Sequence, residues 1–143
     1  MIIQETSLEI IHKISSQIPE FNTPYPLSEY KKRIDNTPHL ALVAIINEEY
    51  AGFKIGYEID KTVFYSWMGG VKSSFRRMGV AKALANHQEA WLKENDYKIL
   101  KMKTRNQHKN MLLFALSNGF QITGVESRES IEANRIFLEK NLW

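Results

Sequence analysis

The stretch best equipped for chemistry is Lys72-Ser73-Ser74-Phe75-Arg76-Arg77-Met78-Gly79-Val80-Ala81, where an apolar strand pattern breaks into a basic loop and then turns helical. After it, Val80, Leu84, His87 and Trp91 recur at helical spacing. A strand feeding a tight basic loop that opens a helix aims unpaired backbone N–H groups and the positive end of the helix dipole at one point, which suits an anion. Gly79 lets the backbone approach that anion without a Cβ in the way, and Ala81 keeps the first turn slim. The competing reading is an ordinary crossover whose arginines are only solvated. The formal charge is +3 and the pI about 9.1, with much of the basicity between Lys98 and Lys109. Such mild basicity fits a polyanionic cofactor better than a nucleic acid, which calls for a larger continuous patch with interleaved aromatics.

The elements that must position this loop follow from patterning. Ile2 to Gln4 suits a short first strand, and Ser7 suits the cap of a helix running to about Gln17 with Leu8, Ile11 and Ile14 inward. The prolines in Phe21-Asn22-Thr23-Pro24-Tyr25-Pro26 keep that segment extended, and Pro26 to Ile34 reads as a second short helix. Leu40 to Ile46, Ala51 to Ile59 and Val63 to Met68 read as an antiparallel meander with short turns. Gly69-Gly70 closes the third strand; the pair either lets it bulge and splay from its parallel neighbour, Lys98 to Lys103, or makes room for a helix. Met111 to Leu116 is a short helix capped by Gly119, and Phe120 to Val125 with Asn134 to Leu142 forms a last hairpin. The hairpin edge ending in Trp143 could pair with a second subunit, giving a homodimer.

With these elements around it, Arg76-Arg77-Met78-Gly79-Val80-Ala81 resembles the Arg/Gln-x-x-Gly-x-Gly/Ala loop of the GCN5-related N-acetyltransferase (GNAT) family, and the element order is similar from near the N-terminus to Trp143. The resemblance implies an α/β (α+β) fold: a mixed, mostly antiparallel twisted sheet of about seven strands with helices on both faces. It implies acetyl-CoA as co-substrate, its pyrophosphate held by Arg76, Arg77, Met78, Gly79, Val80, Ala81 and Lys82. The pantetheine arm would pair like an added strand with the backbone at Gly70 and Val71. An asparagine near the start of the short helix often bonds the pantetheine; direct counting puts His108 there, so Asn106 and Asn110 on either side are the candidates, with Phe114 further along the same helix. Phe21, Tyr25 and Tyr30 are candidates to line the acceptor side, or simply pack the helices on the sheet.

Two departures concern proton transfer. Many members carry a tyrosine acid four residues before the glycine of the Gly-Phe pair; here that position is Ala115. Members also place a carboxylate about six residues before the position of Val71; here it is Tyr65. Glu58, on the face of Gly56, is then the best acidic candidate for a base, directly or through water, and water, Tyr65 or Tyr57 could substitute as the acid.

The 143 residues make one domain, residues 1–143, able to bury roughly 68–70% of its unfolded surface. Without cysteine there is no disulfide, thiolate metal site or cysteine nucleophile, and His12, His39 and His87 show no metal-ligand spacing, so no metal is expected. No window approaches the length of a membrane span, and a cytoplasmic location is the default. The expected activity is acetyl transfer from acetyl-CoA to a primary amine, small molecule or peptide, by direct attack in a ternary complex. The alternative is a non-catalytic acyl-CoA-binding or regulatory module of the same fold.

Overall fold

Alternating side chains give the strands two distinct faces, and each face is covered by different helices. The computed structural model describes residues 1–21 and 23–143; Asn22, within the extended segment expected from Phe21 to Pro26, lies outside the described residues. In chain order the elements are β1 (Ile2–Glu5), α1 (Leu8–Ser15), α2 (Leu27–Ile34), β2 (His39–Ile46), β3 (Glu49–Asp60), β4 (Val63–Val71), a 3₁₀ turn (Ser73–Phe75), α3 (Val80–Glu94), β5 (Ile99–Arg105), α4 (Lys109–Ser117), β6 (Gln121–Glu126) and β7 (Arg135–Asn141). Ser7 caps α1 by accepting from the Ile10 N–H at 3.3 Å.

The strands form one sheet in the order β1-β2-β3-β4-β5-β7-β6. Only β4 and β5 pair in parallel; the other described pairs are antiparallel. β7 therefore slots between β5 and β6, so the edges are β1 and β6 and the strand leading to Trp143 is not an edge. Trp143 itself folds back, its indole N–H donating to the Tyr97 carbonyl at 3.2 Å.

One face carries α1 and α2: Ile11, Ile14, Ile18 and Tyr30 pack on Ala41, Val43, Phe53 and Ile55. The other carries α3, with Val80, Leu84 and Leu92 on Leu40, Leu42, Phe64 and Leu100, and α4, with Ala115 on Ile136 and Leu138. Each fully buried Ile, Leu or Phe in these layers contributes about 1.5–3 kcal/mol of transfer free energy. The inner row of α3 is Val80, Leu84, Gln88 and Leu92; His87 is exposed and Trp91 half-buried against Phe64 and Tyr97. Both rows satisfy helical spacing, and contact with the sheet selects the one carrying buried Gln88.

Candidate active site

β4 and β5 stay together only briefly. Val63, Phe64 and Tyr65 pair with Ile99, Leu100 and Lys101, after which β4 follows β3 to Val71 and β5 follows β7 to Arg105. The divergence starts at Trp67, not at Gly69-Gly70. Ser66 faces Gly56 and Met68 faces Ile55, so Trp67 is an extra residue, and both Trp67 and Met68 pack into the α1/α2 layer. Gly69 and Gly70 keep their pairing to Lys54 and Phe53. Gly70 serves close packing: a Cβ there would lie 2.8 Å from Ile18 Cδ1 and 3.2 Å from the Phe21 ring. The side of Ser66 to Val71 turned toward β5 has no strand partner among the described residues, which leaves backbone groups to pair with an extended ligand.

The loop beyond β4 is built for an anion. Gly79 takes φ 79° as the N-cap of α3 with no side chain capping the helix, and a Cβ there would meet nothing within 4 Å. Arg77 is also left-handed, at φ 62°, an uncommon conformation for a residue with a Cβ. The N–H groups of Val80, Ala81 and Lys82 precede the first hydrogen bond of the helix, Ala83 N–H to the Gly79 carbonyl at 3.0 Å. The expected ligands separate here. Arg76 is tied down on the surface, pairing with Glu20 and donating from Nε to the Val71 carbonyl at 3.2 Å. Arg77 and Met78 are exposed and free of such ties, Lys82 pairs with Asn118 of α4, and Val80 is buried, so only its backbone can take part.

On the α1/α2 side, a cleft of about 610 Å³ crosses the split, lined by Tyr65, Trp67 and Met68 from β4 and by Lys103, Thr104 and Arg105 from β5. Tyr25 lies 5.5 Å from Trp67 on its wall, the Arg33 guanidinium covers Trp67 at 4.5 Å, and Tyr57 backs that wall, edge-on to Tyr65 with centroids 5.4 Å apart and to Trp67 at 5.9 Å. Burial, with the neighbouring Tyr57, pushes the Tyr65 phenol up, and the Arg33 and Arg135 charges oppose that rise.

The family model for the acetyltransferase (GNAT) family matches residues 8–120. The chain belongs to the GNAT family. No curated protein matches it by sequence. Among solved structures, Ard1 from Thermoplasma volcanium is 20% identical with a TM-score of 0.83, covering 99% of this chain and 97% of its own. The ribosomal-protein-S18-alanine N-acetyltransferase of Escherichia coli is 15% identical at TM-score 0.82, covering 99% and 93%. An aminoglycoside 6'-N-acetyltransferase complexed with coenzyme A is 18% identical at TM-score 0.80, covering 100% and 98%. The GNAT protein described here is accordingly an acetyl-CoA-dependent acetyltransferase, and its split strand pair and uncapped α3 terminus fit that co-substrate.

Several GNAT expectations change on inspection. Glu58 shares the face of Gly56, but that face looks toward α3, away from the cleft: Glu58 accepts from the Tyr97 hydroxyl at 2.9 Å. Burial, with that bond and the Glu58 charge, pushes the Tyr97 phenol up to about 12. Asn106 is spent on the β6–β7 connection, donating to the Ile131 carbonyl at 3.2 Å and accepting from Lys109 at 2.8 Å. Asn110, exposed in the first turn of α4, carries no such tie. Phe114 lies one turn before Asn118, on the side of α4 that meets Lys82 of α3. Ala115 is 1% exposed against Ile136 and Leu138, so a tyrosine side chain there would not fit without repacking. His108, exposed at the start of α4, also lines the cleft. Only the tertiary approach of that segment to β4 could have revealed it.

Proposed function

We propose that this protein transfers acetyl from acetyl-CoA to a primary amine by direct attack in a ternary complex. The observation that carries the reading is the meeting of two spaces at Tyr65, where the β4–β5 split opens onto the aromatic cleft. Acetyl-CoA supplies an activated thioester. Backbone groups of Ser66 to Val71 hold its pantetheine arm, with Asn110 and Phe114 on the opposite side, and Arg77 with the N–H groups of Gly79 to Lys82 holds its pyrophosphate. The amine enters from the α1/α2 side.

An alkyl amine of pKa near ~10.4 needs about 4–5 kcal/mol to lose its proton at pH 7. Among the described residues the one carboxylate lining the cleft, Glu20, is paired with Arg76. The proton therefore leaves through water in the cleft, with His108 on its wall as the protein group able to relay it. Tyr65, held protonated by its burial, returns a proton to the departing sulfur. A thiol of pKa near ~8.5 needs only about 2 kcal/mol of such help at pH 7.

CoA release across a panel of amines tests this cleanly, because the chain has no cysteine and every thiol detected is the product's. Turnover with at least one amine is expected, and Tyr65→Phe should lower kcat roughly tenfold with acetyl-CoA affinity retained. Tight acetyl-CoA binding without turnover on any amine would favour a non-catalytic acyl-CoA-binding module instead.

A further inference from the structure

We infer that the acceptor amine carries a carboxylate or phosphate and that Lys103, Arg105 and Arg135 receive it; this rests on the acetyl-transfer reading above. Met102, Ile136 and Leu138 pack toward α4, so the alternating residues Lys103 and Arg105 of β5 and Arg135 and Phe137 of β7 project from the opposite face. All three cations line the cleft with Tyr65 and Trp67. Among the described residues none of the three lies within 4.0 Å of a carboxylate, whereas the cations around them are neutralised: Lys101 by Glu139 at 3.3 Å, Arg33 by Glu29 at 3.1 Å, and Arg76 by Glu20.

Arg105 and Arg135 stand directly opposite each other across the β5–β7 ladder, and Glu126, which faces Arg135 from β6, pairs with Arg128 instead. Like charges in that relation are destabilising, and an anion between them removes the repulsion. Arg105 is already oriented, donating from Nη1 to the Ala133 carbonyl at 3.2 Å with its other donors left over. Lys103 extends over the Tyr65 ring at 5.3 Å, and the Arg135 charge is felt at the Tyr65 phenol, so the cluster borders the proposed proton donor. These groups are not surplus cofactor ligands, because the loop at Arg77 and Gly79 leads into α3 and Lys82 bridges to α4, both on the other face. A polycationic acceptor would meet like charge here, which disfavours its binding. Likeness of fold to an aminoglycoside acetyltransferase thus does not extend to its acceptor.

The test compares kcat/KM for CoA release within matched pairs at equal fractions of free amine: an amino acid against its C-terminal amide, and O-phosphoethanolamine against ethanolamine, with an aminoglycoside as the polycation. The anionic member of at least one pair should be favoured by about tenfold or more, the winning pair naming carboxylate or phosphate. Lys103→Gln and Arg135→Gln should close that gap, through the KM of the anionic member rather than kcat, and Arg135→Lys should partly restore it. Equal rates within both pairs, a preference for the aminoglycoside, or variants that slow both members alike would overturn the inference while leaving acetyl transfer standing. If no amine is turned over, acetyl transfer fails, and calorimetric binding of O-phosphoethanolamine and of the amino acid to the acetyl-CoA-loaded wild type and Arg135→Gln still decides the charge of the cleft. Binding of either that weakens about tenfold in the variant supports it, and equal binding in both proteins overturns it.

Discussion

Arg77 combines a strained backbone with a guanidinium that no carboxylate neutralises among the described residues. A left-handed residue with a Cβ costs about 1–2 kcal/mol, so the position trades stability for something its side chain or its N–H does. If the side chain holds the cofactor's pyrophosphate, Arg77→Ala and Arg77→Gly should both weaken acetyl-CoA by roughly tenfold or more, since charge-assisted hydrogen bonds are worth about 1.5–3 kcal/mol. Only Arg77→Gly should also raise the melting temperature of the ligand-free protein, because glycine adopts φ 62° without penalty. Calorimetric titration and thermal unfolding separate the two effects, and unchanged affinity in both variants would remove Arg77 from the site. Sequence spacing placed a loop opening a helix here, and Gly79 is the left-handed N-cap of α3. Spacing did not distinguish Arg77 from Arg76, because the partner that occupies Arg76, Glu20, lies far away in the chain.

Among the elements, the strands and the α1 cap were readable from alternation and from Ser7, since these signals are local. The bulge was expected at Gly69-Gly70 and falls instead at Trp67, which is extruded because it and Met68 both find apolar partners under α1 and α2. Alternation likewise put Glu58 with Gly56 but could not say which face looks into the cleft. The Tyr97–Glu58 bond instead fastens the segment after α3 to β3, where the Tyr97 ring stacks on Trp91 and meets Phe64 edge-on. Glu58→Gln should therefore leave kcat within about twofold, far from the 10²–10⁴-fold loss of a true base. Tyr97→Phe should cost about 1–2 kcal/mol at neutral pH, measured by urea unfolding. Tyr97 has its folded pKa raised to about 12, so its contribution is fully present below the unfolded value near ~10 and is lost as pH rises through the folded one. The stability gap between wild type and Tyr97→Phe should shrink between those pH values. A gap that stays constant, or a large kcat loss in Glu58→Gln, would return Glu58 to the proton path.

At the scale of the whole molecule, the sheet separates two polar sites. The loop at Arg77 and Gly79 leads into α3, the cationic cleft lies on the face of α1 and α2, and the β4–β5 split lies between them at Tyr65. Family, architecture and co-substrate could be read from the sequence because they depend on one loop and the order of elements. The cleft could be read only in part: Phe21 and Tyr25 line it as expected while Tyr30 is buried, and Arg33, Lys103 and Arg135, from three separate elements, were not foreseen. Among the described residues no helix is long and apolar enough to cross a membrane. The most direct test is the initial velocity of CoA release over a grid of acetyl-CoA and amine concentrations, with acetylated amine quantified in parallel. Direct attack in a ternary complex predicts intersecting double-reciprocal lines and one acetylated amine per CoA released. Parallel lines, or CoA released without acetylated amine, would contradict it.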